Sequence, residues 1–358
     1  MDLLVLVLRF LGVLAALVLV HELGHFLTAK AFGVQVQEFG VGFPPRLFGV
    51  RRGDTLYSVN LLPLGGFVKL LGEEDPSHPR SLASRSVLQR SIVLSAGSFM
   101  NVLLVVVLFT VLLAVPQEQT VARVAIQKVE PGSPAQAAGL RSGDIVLRVD
   151  GHPIRNSGDL LYRVYLRMGA ESRWTYQRGF VAESPIIEEA TVTPRWRWPA
   201  NQGPTGIVIG EVSPRVAVLS EPLWEAFPHA LQRTWENLTL LKNEVTRWVM
   251  GASTPQLAGP IGIAQITDQV ADAGIFPLLG LVAGLSLSLG IMNILPIPML
   301  DGGRLMFVLL EGVRRGKRIS PKREGLVHMV GFVALMALIA LISYQDILRL
   351  IRGESLLQ

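Results

Sequence analysis

Four long apolar segments dominate the pattern of hydrophobic and polar positions. They cover residues 3–20 with the positions that follow, 91–115, 276–300 and 325–344. Each is about 18–25 residues long, enough for an α-helix to cross roughly 30 Å of hydrocarbon. The pattern therefore predicts four transmembrane helices. The first is predicted to be retained, because Asp2 stands where a signal peptide would be basic and no small-residue cleavage site follows.

Short alternating stretches occupy residues 29–88. The stretches "VQVQEFGVGF" and "YSVNLLPLGGFVKL" alternate or are rich in β-forming residues, and Gly, Pro and Arg separate them. They predict strands or hairpins. The region is unusually apolar for a loop, so part of it is expected to enter the membrane. Backbone that is not helical must there be shielded by protein or line a wet cavity.

Residues 121–170 have the pattern of a compact α/β module. A strand in "VARVAIQKV" precedes a short helix in "PGSPAQAAGL" and two strands joined by Asp-Gly in "SGDIVLRVDGHPI". Residues 197–215 are rich in Pro and Gly and are interpreted as a linker. From Leu223 to Met250, apolar residues recur at helical spacing. This helix either belongs to the domain or, as we favour, lies on the membrane surface.

Composition and charge limit the possible functions. Half of the residues are hydrophobic, and the absence of cysteine excludes disulfides and thiolate metal ligands. The net charge of +5 could indicate nucleic-acid binding. However, six basic residues are concentrated in "RRGKRISPKRE", between the third and fourth apolar segments. This pattern indicates a cytoplasmic loop, so we expect no nucleic-acid partner. Four spans then place both termini and residues 117–275 outside.

The first apolar segment ends in His21-Glu22-Leu23-Gly24-His25. On a helix the two histidines project from one face, about 6 Å apart along the axis, which suits two imidazole ligands of one Zn²⁺. Glu22 is then placed to take a proton from water and pass it to the leaving amine. The five-residue pattern also occurs by chance, for instance at a capped helix end. The membrane context favours the metal site, because ionisable groups there are costly.

A third protein ligand is expected at the same membrane depth. Asp301 lies near the inner end of the third apolar segment, beside two glycines, and Pro296 and Pro298 should break that helix and make room. Asp301 could instead cap the following helix. Asn293 could bind the substrate backbone or satisfy the broken helix. His328, near the inner end of the fourth segment, could support the metal site, but an interfacial position is favoured.

Together these motifs resemble the site-2 protease family of intramembrane zinc metalloproteases. The resemblance rests on HExxH in a first span and N-x-x-P-x-P-x-L-D-G, beginning at Asn293, in a late span. The stretches within 29–88 are similar to those of the bacterial RseP-type branch. This resemblance implies one Zn²⁺ per chain, held by His21, His25 and Asp301, with Glu22 as the catalytic base.

The resemblance also extends to residues 129–154, which look like one PDZ domain. In the second span the family often has A-G-P-x-x-N, whereas this chain has Ser98 in place of the proline and keeps Asn101. The predicted fold class is a membrane α-helical protein with four transmembrane helices, a membrane-associated β-hairpin region and an inserted extracytoplasmic PDZ domain of α/β type. The predicted regions are 1–28 (first span), 29–88 (reentrant β region), 89–116 (second span), 117–200 (PDZ), 201–275 (linker and membrane-surface helix), 276–311 (third span), 312–324 (basic loop) and 325–358 (fourth span and tail).

The implied function is cleavage of single-span membrane proteins inside or near the bilayer, for example of an anti-sigma factor. A strand edge at Gly65, Gly66, Phe67 and Val68 is expected to pair with the extended substrate, although the glycines could form a simple turn. The PDZ-like module could bind a peptide or, as we favour, exclude bulky substrate ectodomains. The expected location is the bacterial inner membrane, with the active site near the cytoplasmic side.

Two alternative functions use the same residues differently. An idle PDZ scaffold tethered by four spans would need neither HExxH nor an aspartate ligand. A metal transporter should show inverted repeats or polar residues along several spans. In this chain the polar groups concentrate at one depth, which favours the enzyme.

Overall fold

The computed structural model describes residues 3–73, 75–179, 186–200, 202–255 and 257–352, without the side chains of Leu64 and Pro321. The expected C-terminal tail beyond residue 352 lies outside these residues. The chain forms two compact units, Met1–Leu112 with Leu257–Gln358, and Leu113–Gln256. The elements are α1 (Leu3–Ala31), β1 (Val36–Arg52), β2 (Thr55–Leu70), α2 (Val87–Ala114), β3 (Gln117–Val129), α3 (Pro134–Ala137), β4 (Ile145–Val149), β5 (His152–Pro153), α4 (Ser157–Leu166), β6 (Ser172–Arg178), β7 (Ile186–Val192), β8 (Ile207–Leu219), α5 (Leu223–Val249), α6 (Pro260–Asp272), α7 (Ile275–Ile294), α8 (Asp301–Val313) and α9 (Pro321–Arg352).

Four helices of the first unit are long and apolar enough to cross a membrane. They are α1, α2, α7 and all but the first residue of α9. Leucine, valine and alanine dominate them, and large side chains such as Leu3, Leu4 and Leu8 are exposed, as lipid contact requires. Within α9, none of the most apolar window is buried. The prediction of four candidate transmembrane helices is confirmed.

The third apolar segment is broken into α7 and α8. Pro296 and Pro298 fall in the six-residue gap 295–300, where proline cannot continue a helix. The gap folds back tightly on the start of α8. A Cβ atom at Gly302 would overlap the Leu295 carbonyl oxygen, and one at Gly303 would overlap that of Ile297. The two glycines therefore permit the sharp turn that brings Asp301 to the start of a new helix.

The predicted strands after the first span form an antiparallel pair, β1 with β2. Gly53, with a φ of +61°, makes the turn between them. Residues 38–41 pair with 56–59 and also with 66–69, so the last part of β2 folds back onto β1. A buried cluster joins this hairpin to α1 and α2: Ala29, Val34, Val36, Leu70, Leu82 and Val93. The cluster holds residues 66–69 beside the C-terminal half of α1.

The second unit contains a sheet with strand order β7-β6-β4-β3-β8, and β5 pairs with β4. Its core includes Trp174, Ile126 and Leu160. The interpretation of residues 197–215 as a linker, and of 201–275 as linker and helix, is wrong for residues 207–219. These form β8, which pairs with β3 along its whole length. Gly and Pro interrupt the alternating sequence pattern of this strand, but both are tolerated at a sheet edge and at bulges.

Helix α5 follows β8 and packs on α4. The Asn243 side-chain amide donates to the carbonyls of Tyr165 and Leu166, at 2.8 and 3.2 Å. Elsewhere the helix exposes Trp224 and Trp235. The structure thus gives α5 a contact within its own unit, and its position on a membrane surface stays a prediction.

Candidate metal centre

Helix α1 brings His21 and His25 together one turn apart. Both side chains are buried, and their Nε2 atoms lie 3.2 Å from each other. The rings meet edge to face, with centroids 4.9 Å apart. Both Nε2 atoms therefore face the same small volume.

Asp301 completes the cluster from the other end of the chain. Its Oδ2 atom lies 2.8 Å from His21 Nε2 and 3.1 Å from His25 Nε2. Leu300 occupies the N-cap position of α8, and no side chain caps that helix. The alternative role of Asp301 as a helix cap is therefore wrong. Its carboxylate is directed at the two histidines instead.

The spacing of the three donor atoms fits a zinc ion. Donors around a tetrahedral Zn²⁺ with bonds of about 2.0–2.1 Å stand about 3.3 Å apart. The three separations here are 2.8, 3.1 and 3.2 Å, and all candidate donor atoms lie within 4.8 Å of one another. A set of two imidazoles and one carboxylate also leaves a fourth position for water, as in catalytic zinc sites.

The second nitrogen of each ring has a partner that leaves Nε2 available to a metal. His25 Nδ1 lies 2.8 Å from the Val93 carbonyl oxygen, an obligatory acceptor, so Nδ1 carries the proton. His21 Nδ1 lies 3.2 Å from the Asn101 amide, whose Oδ1 atom is buried without a hydrogen-bond partner. Turning that amide over lets Oδ1 accept from Nδ1–H. Both Nε2 atoms then present lone pairs, the arrangement of metal-ligating histidines.

Gly97 on α2 leaves space beside the histidine nitrogens. A Cβ atom there would lie 2.5 Å from His21 Nε2 and closer still to His25 Nε2. Any other residue would therefore occupy the space that an ion held by these nitrogens would need. Nearby, Gly24 of α1 packs against the Ala96 carbonyl, so the two helices meet backbone to backbone.

Glu22 is half-buried and points toward the end of β2. A Cβ atom at Gly66 would lie 3.9 Å from Glu22 Cγ, and the Val68 backbone faces the Glu22 carboxylate. Residues 66–68 pair with 39–41 on one edge, and among the described residues no strand pairs with their other edge. Gly65, with a φ of +118°, lies against Val18 of α1. The strand edge that is expected to bind substrate, which includes Phe67, is thus next to the proposed base, Glu22.

The other polar candidates of the third and fourth segments have local partners. The Asn293 amide donates to the Leu289 carbonyl at 3.0 Å, which satisfies the last turn of α7. Its role toward substrate stays a prediction. His328 accepts a hydrogen bond from the Met299 backbone N–H at 2.8 Å, two residues before Asp301.

Sequence reasoning did not assign a role to Asn101, Gly97 or the Val93 carbonyl. Asn101 is fully buried, and its own carbonyl accepts from the Ser286 hydroxyl of α7 at 2.9 Å. A polar side chain within an apolar span was the available signal, because such groups need partners. The carbonyl of Val93 and the gap at Gly97 carry no comparable signal, since both depend on how α1 packs against α2.

Comparison with known proteins gives a consistent result across the chain. Residues 9–338 match the sequence profile of Peptidase family M50. A putative zinc metalloprotease of Clostridium perfringens is 35% identical over 341 residues, covering 93% of this chain and 96% of the relative. A putative zinc metalloprotease of Rhizobium meliloti is 31% identical over 358 residues, covering 94% and 95%. Zinc metalloprotease RasP of Oceanobacillus iheyensis is 29% identical over 428 aligned positions, covering 96% and 99%.

Proposed function

The chain belongs to Peptidase family M50 and is a zinc metalloprotease, and on this premise we propose that it hydrolyses peptide bonds within or next to the spans of single-span membrane proteins. In this proposal His21, His25 and Asp301 hold one Zn²⁺ and Glu22 is the general base. One observation carries the assignment. Donor atoms from two sequence-distant apolar segments lie within 4.8 Å of one another, with a glycine opening beside them.

Each residue has a defined chemical task in this proposal. The bound Zn²⁺ supplies Lewis-acid chemistry that makes water nucleophilic near neutral pH. Glu22, one residue after His21, takes the proton from the attacking water and delivers it to the leaving amine. Val93 and Asn101 hold the two imidazoles in the tautomer that directs Nε2 at the ion. Gly97 keeps the neighbouring volume free.

The unpaired edge of residues 66–68 is proposed to bind the substrate backbone. A peptide bond in a transmembrane helix is protected, because its carbonyl is hydrogen-bonded and water is scarce. Cleavage requires an extended chain, and a strand edge can replace the helix hydrogen bonds that unwinding breaks. The position of Gly66 and Val68 beside Glu22 supports this role, because a substrate paired there would run past the base.

The second unit and the orientation complete the proposal. The loop holding Arg314, Arg315, Lys317 and Arg318 favours a cytoplasmic position for the turn before α9. The sheet of the second unit, proposed to be a PDZ domain, would then lie outside the bacterial inner membrane. There it would exclude substrates with bulky ectodomains or bind their termini. The released product would enter the cytoplasm, as expected for an anti-sigma factor.

The proposal is tested by co-expressing the protein with candidate single-span membrane proteins. Glu22→Gln is expected to keep zinc bound, because Glu22 is not a ligand, but to lower cleavage by about 10²–10⁴-fold. Uncut substrate should then accumulate. Glu118→Gln, at an exposed position of the second unit, is the matched control and should cleave normally. Zinc content by metal analysis and substrate length by immunoblot are the two measurements.

Other outcomes would identify the alternative functions. Purified protein without zinc, together with unchanged substrate levels in Glu22→Gln, would favour an idle scaffold. Zinc uptake into vesicles that is insensitive to Glu22→Gln would favour a transporter. Either result would refute the proposed protease mechanism.

A further inference from the structure

The segment before Asp301 contacts a third helix, α9, in addition to the two helices that it joins. Residues 295–300 join α7 to α8, and Asp301 follows directly. The conformation of this segment therefore determines where the Asp301 carboxylate lies. The inference below rests on the proposed role of Asp301 as a zinc ligand.

Met299 adopts a backbone conformation that is unfavourable for its residue type. Its φ is +82°, in a region that a residue with a Cβ atom rarely occupies. Met299 is 48% exposed, so packing of its side chain contributes little to fixing the conformation. A strained residue persists only where its surroundings hold it.

A histidine of α9 supplies one such contact. The Met299 N–H donates to His328 Nδ1 at 2.8 Å. The opposite ring nitrogen, Nε2, lies 4.0 Å from Glu324 Oε1, which favours a proton on Nε2 and a lone pair on Nδ1. The ring also packs on Phe307 of α8, with centroids 5.5 Å apart. His328 thus contacts both the segment 295–300 and α8, the helix that follows this segment.

A glycine on the same face of α9 supplies a second contact. Gly331 lies three residues after His328, so both face the segment. A Cβ atom at Gly331 would overlap Pro298 Cβ and would lie 3.0 Å from the Pro298 carbonyl oxygen. The absence of a side chain at Gly331 therefore lets α9 approach the Pro298-Met299 peptide closely enough for the His328 hydrogen bond.

We propose that α9 positions the Asp301 carboxylate for zinc through the hydrogen bond from Met299 to His328 and the close packing of Gly331 on Pro298. The most apolar stretch of α9 has no buried residue, and toward its C-terminal end the helix contacts α6, where Asp346 accepts a hydrogen bond from the Gly262 N–H at 2.9 Å. Its contact with residues 298–299 gives the last span a specific task in assembling the metal site. His328 and Gly331 are positioning residues, because they act on Asp301 through Met299 and Pro298.

The first test compares two glycines of α9. Gly331→Ala should separate α9 from Pro298 and weaken zinc binding by about tenfold or more, as loss of a supporting contact does at metal sites. Gly325→Ala is the matched control, because a Cβ atom there meets nothing within 4 Å. Zinc affinity is measured by chelator competition on the full-length protein in detergent. Equal affinities for both variants would overturn the proposal.

The second test asks whether relief of backbone strain compensates for the lost hydrogen bond. His328→Leu should weaken zinc binding by about tenfold and change the visible spectrum of the Co²⁺-substituted protein, which reports ligand geometry. In a Met299→Gly background the same substitution should have a smaller effect, because glycine adopts a positive φ without help. Size-exclusion chromatography checks that both proteins are folded. If His328→Leu then weakens zinc binding just as much in the Met299→Gly background, the positioning role is contradicted.

Asp301→Ala separates this inference from the proposed function. If Asp301→Ala leaves zinc affinity unchanged, Asp301 is not a ligand and the proposed site itself fails. If Asp301→Ala weakens zinc binding while Gly331→Ala and His328→Leu do not, only the role of α9 fails.

Discussion

At the residue scale, three donor atoms and one glycine determine whether this site can hold an ion. Two imidazole nitrogens and a carboxylate oxygen converge, and the opposite wall is the backbone of Gly97. The rings are oriented by groups of α2, through the Val93 carbonyl and the Asn101 amide. The contribution of α2 is therefore to shape and orient the site, whereas α1 and α8 provide its proposed ligands.

Substitution of Gly97 by alanine is expected to abolish zinc binding. The added methyl group would occupy the space beside both Nε2 atoms and displace the rings. Gly12→Ala on α1 is the control, because a Cβ atom there has nothing within 4 Å. The measurement is zinc content after purification. Full zinc occupancy in Gly97→Ala would show that the ion binds elsewhere.

Replacement of Asn101 by alanine is expected to weaken zinc binding by about 10–100-fold, because His21 loses the group that fixes its tautomer. Asn101→Asp restores an acceptor for Nδ1–H and should retain more affinity than alanine does. Zinc competition titrations on the unsubstituted protein and the two variants measure the order of their zinc affinities. An alanine variant that binds zinc as tightly as the unsubstituted protein would contradict the role of Asn101.

At the scale of elements, the proposed function depends on two interruptions of regular structure. The break between α7 and α8 delivers Asp301, and the return of β2 onto β1 brings residues 66–69 beside α1. The second unit contains a separate contact between two elements, which joins α4 to α5. Glu236 accepts hydrogen bonds from Tyr162 and Arg163, at 3.0 and 2.7 Å.

Acid is expected to loosen the contact between α4 and α5. Burial raises the pKa of Glu236, but hydrogen bonds from Arg163, Gln232 and Tyr162 outweigh it and hold that pKa below its ordinary value of 4.5. Because the pKa is lowered in the folded state, the stabilisation is complete well above 4.5 and is lost as pH falls below it. Backbone hydrogen exchange of α5, corrected for intrinsic rates, should therefore accelerate on acidification.

Two glutamate variants isolate this effect. Glu236→Gln should remove most of the pH dependence, because the amide does not titrate. Glu225→Gln, at an exposed position of the same helix, should leave it unchanged. Identical acid responses in the two variants would assign the loosening to other carboxylates.

The molecule as a whole consists of a unit that contains the four candidate spans and the candidate metal centre, and a second unit with its own core. Catalysis and substrate selection are thus proposed to reside in separately folded parts of one chain. A cytoplasmic position of the basic loop and an outward position of the second unit are proposed from the charge distribution. They form a single topological hypothesis.

Labelling of introduced cysteines tests that topology, and the natural chain has no cysteine to interfere. Ser320→Cys lies at an exposed position of the basic loop, and Ala137→Cys lies at an exposed position of the second unit. A membrane-impermeant maleimide added to intact spheroplasts should label Ala137→Cys only. After lysis it should label both. The reverse pattern in intact spheroplasts would invert the proposed orientation.

Several features follow from the sequence because they depend on local spacing or on transfer energy. The helical repeat places His21 and His25 on one face, and apolar length alone predicts four candidate spans. Proline chemistry predicts the break near Asp301, and membrane depth suggests that this carboxylate approaches the histidines. The alternation of residues 34–43 and 57–70 indicates the hairpin.

Other features were decided only by tertiary structure, because they depend on which surfaces meet. Strand β8 was missed because its Gly and Pro obscure the alternation, and pairing with β3 supplies the backbone hydrogen bonds that make it a strand. The partners of the ring nitrogens and the need for glycine at 97 depend on the approach of α2 to α1. A spacing rule can predict which side chains share a face. It cannot predict which backbone carbonyl, or which empty volume, the folded chain places opposite them.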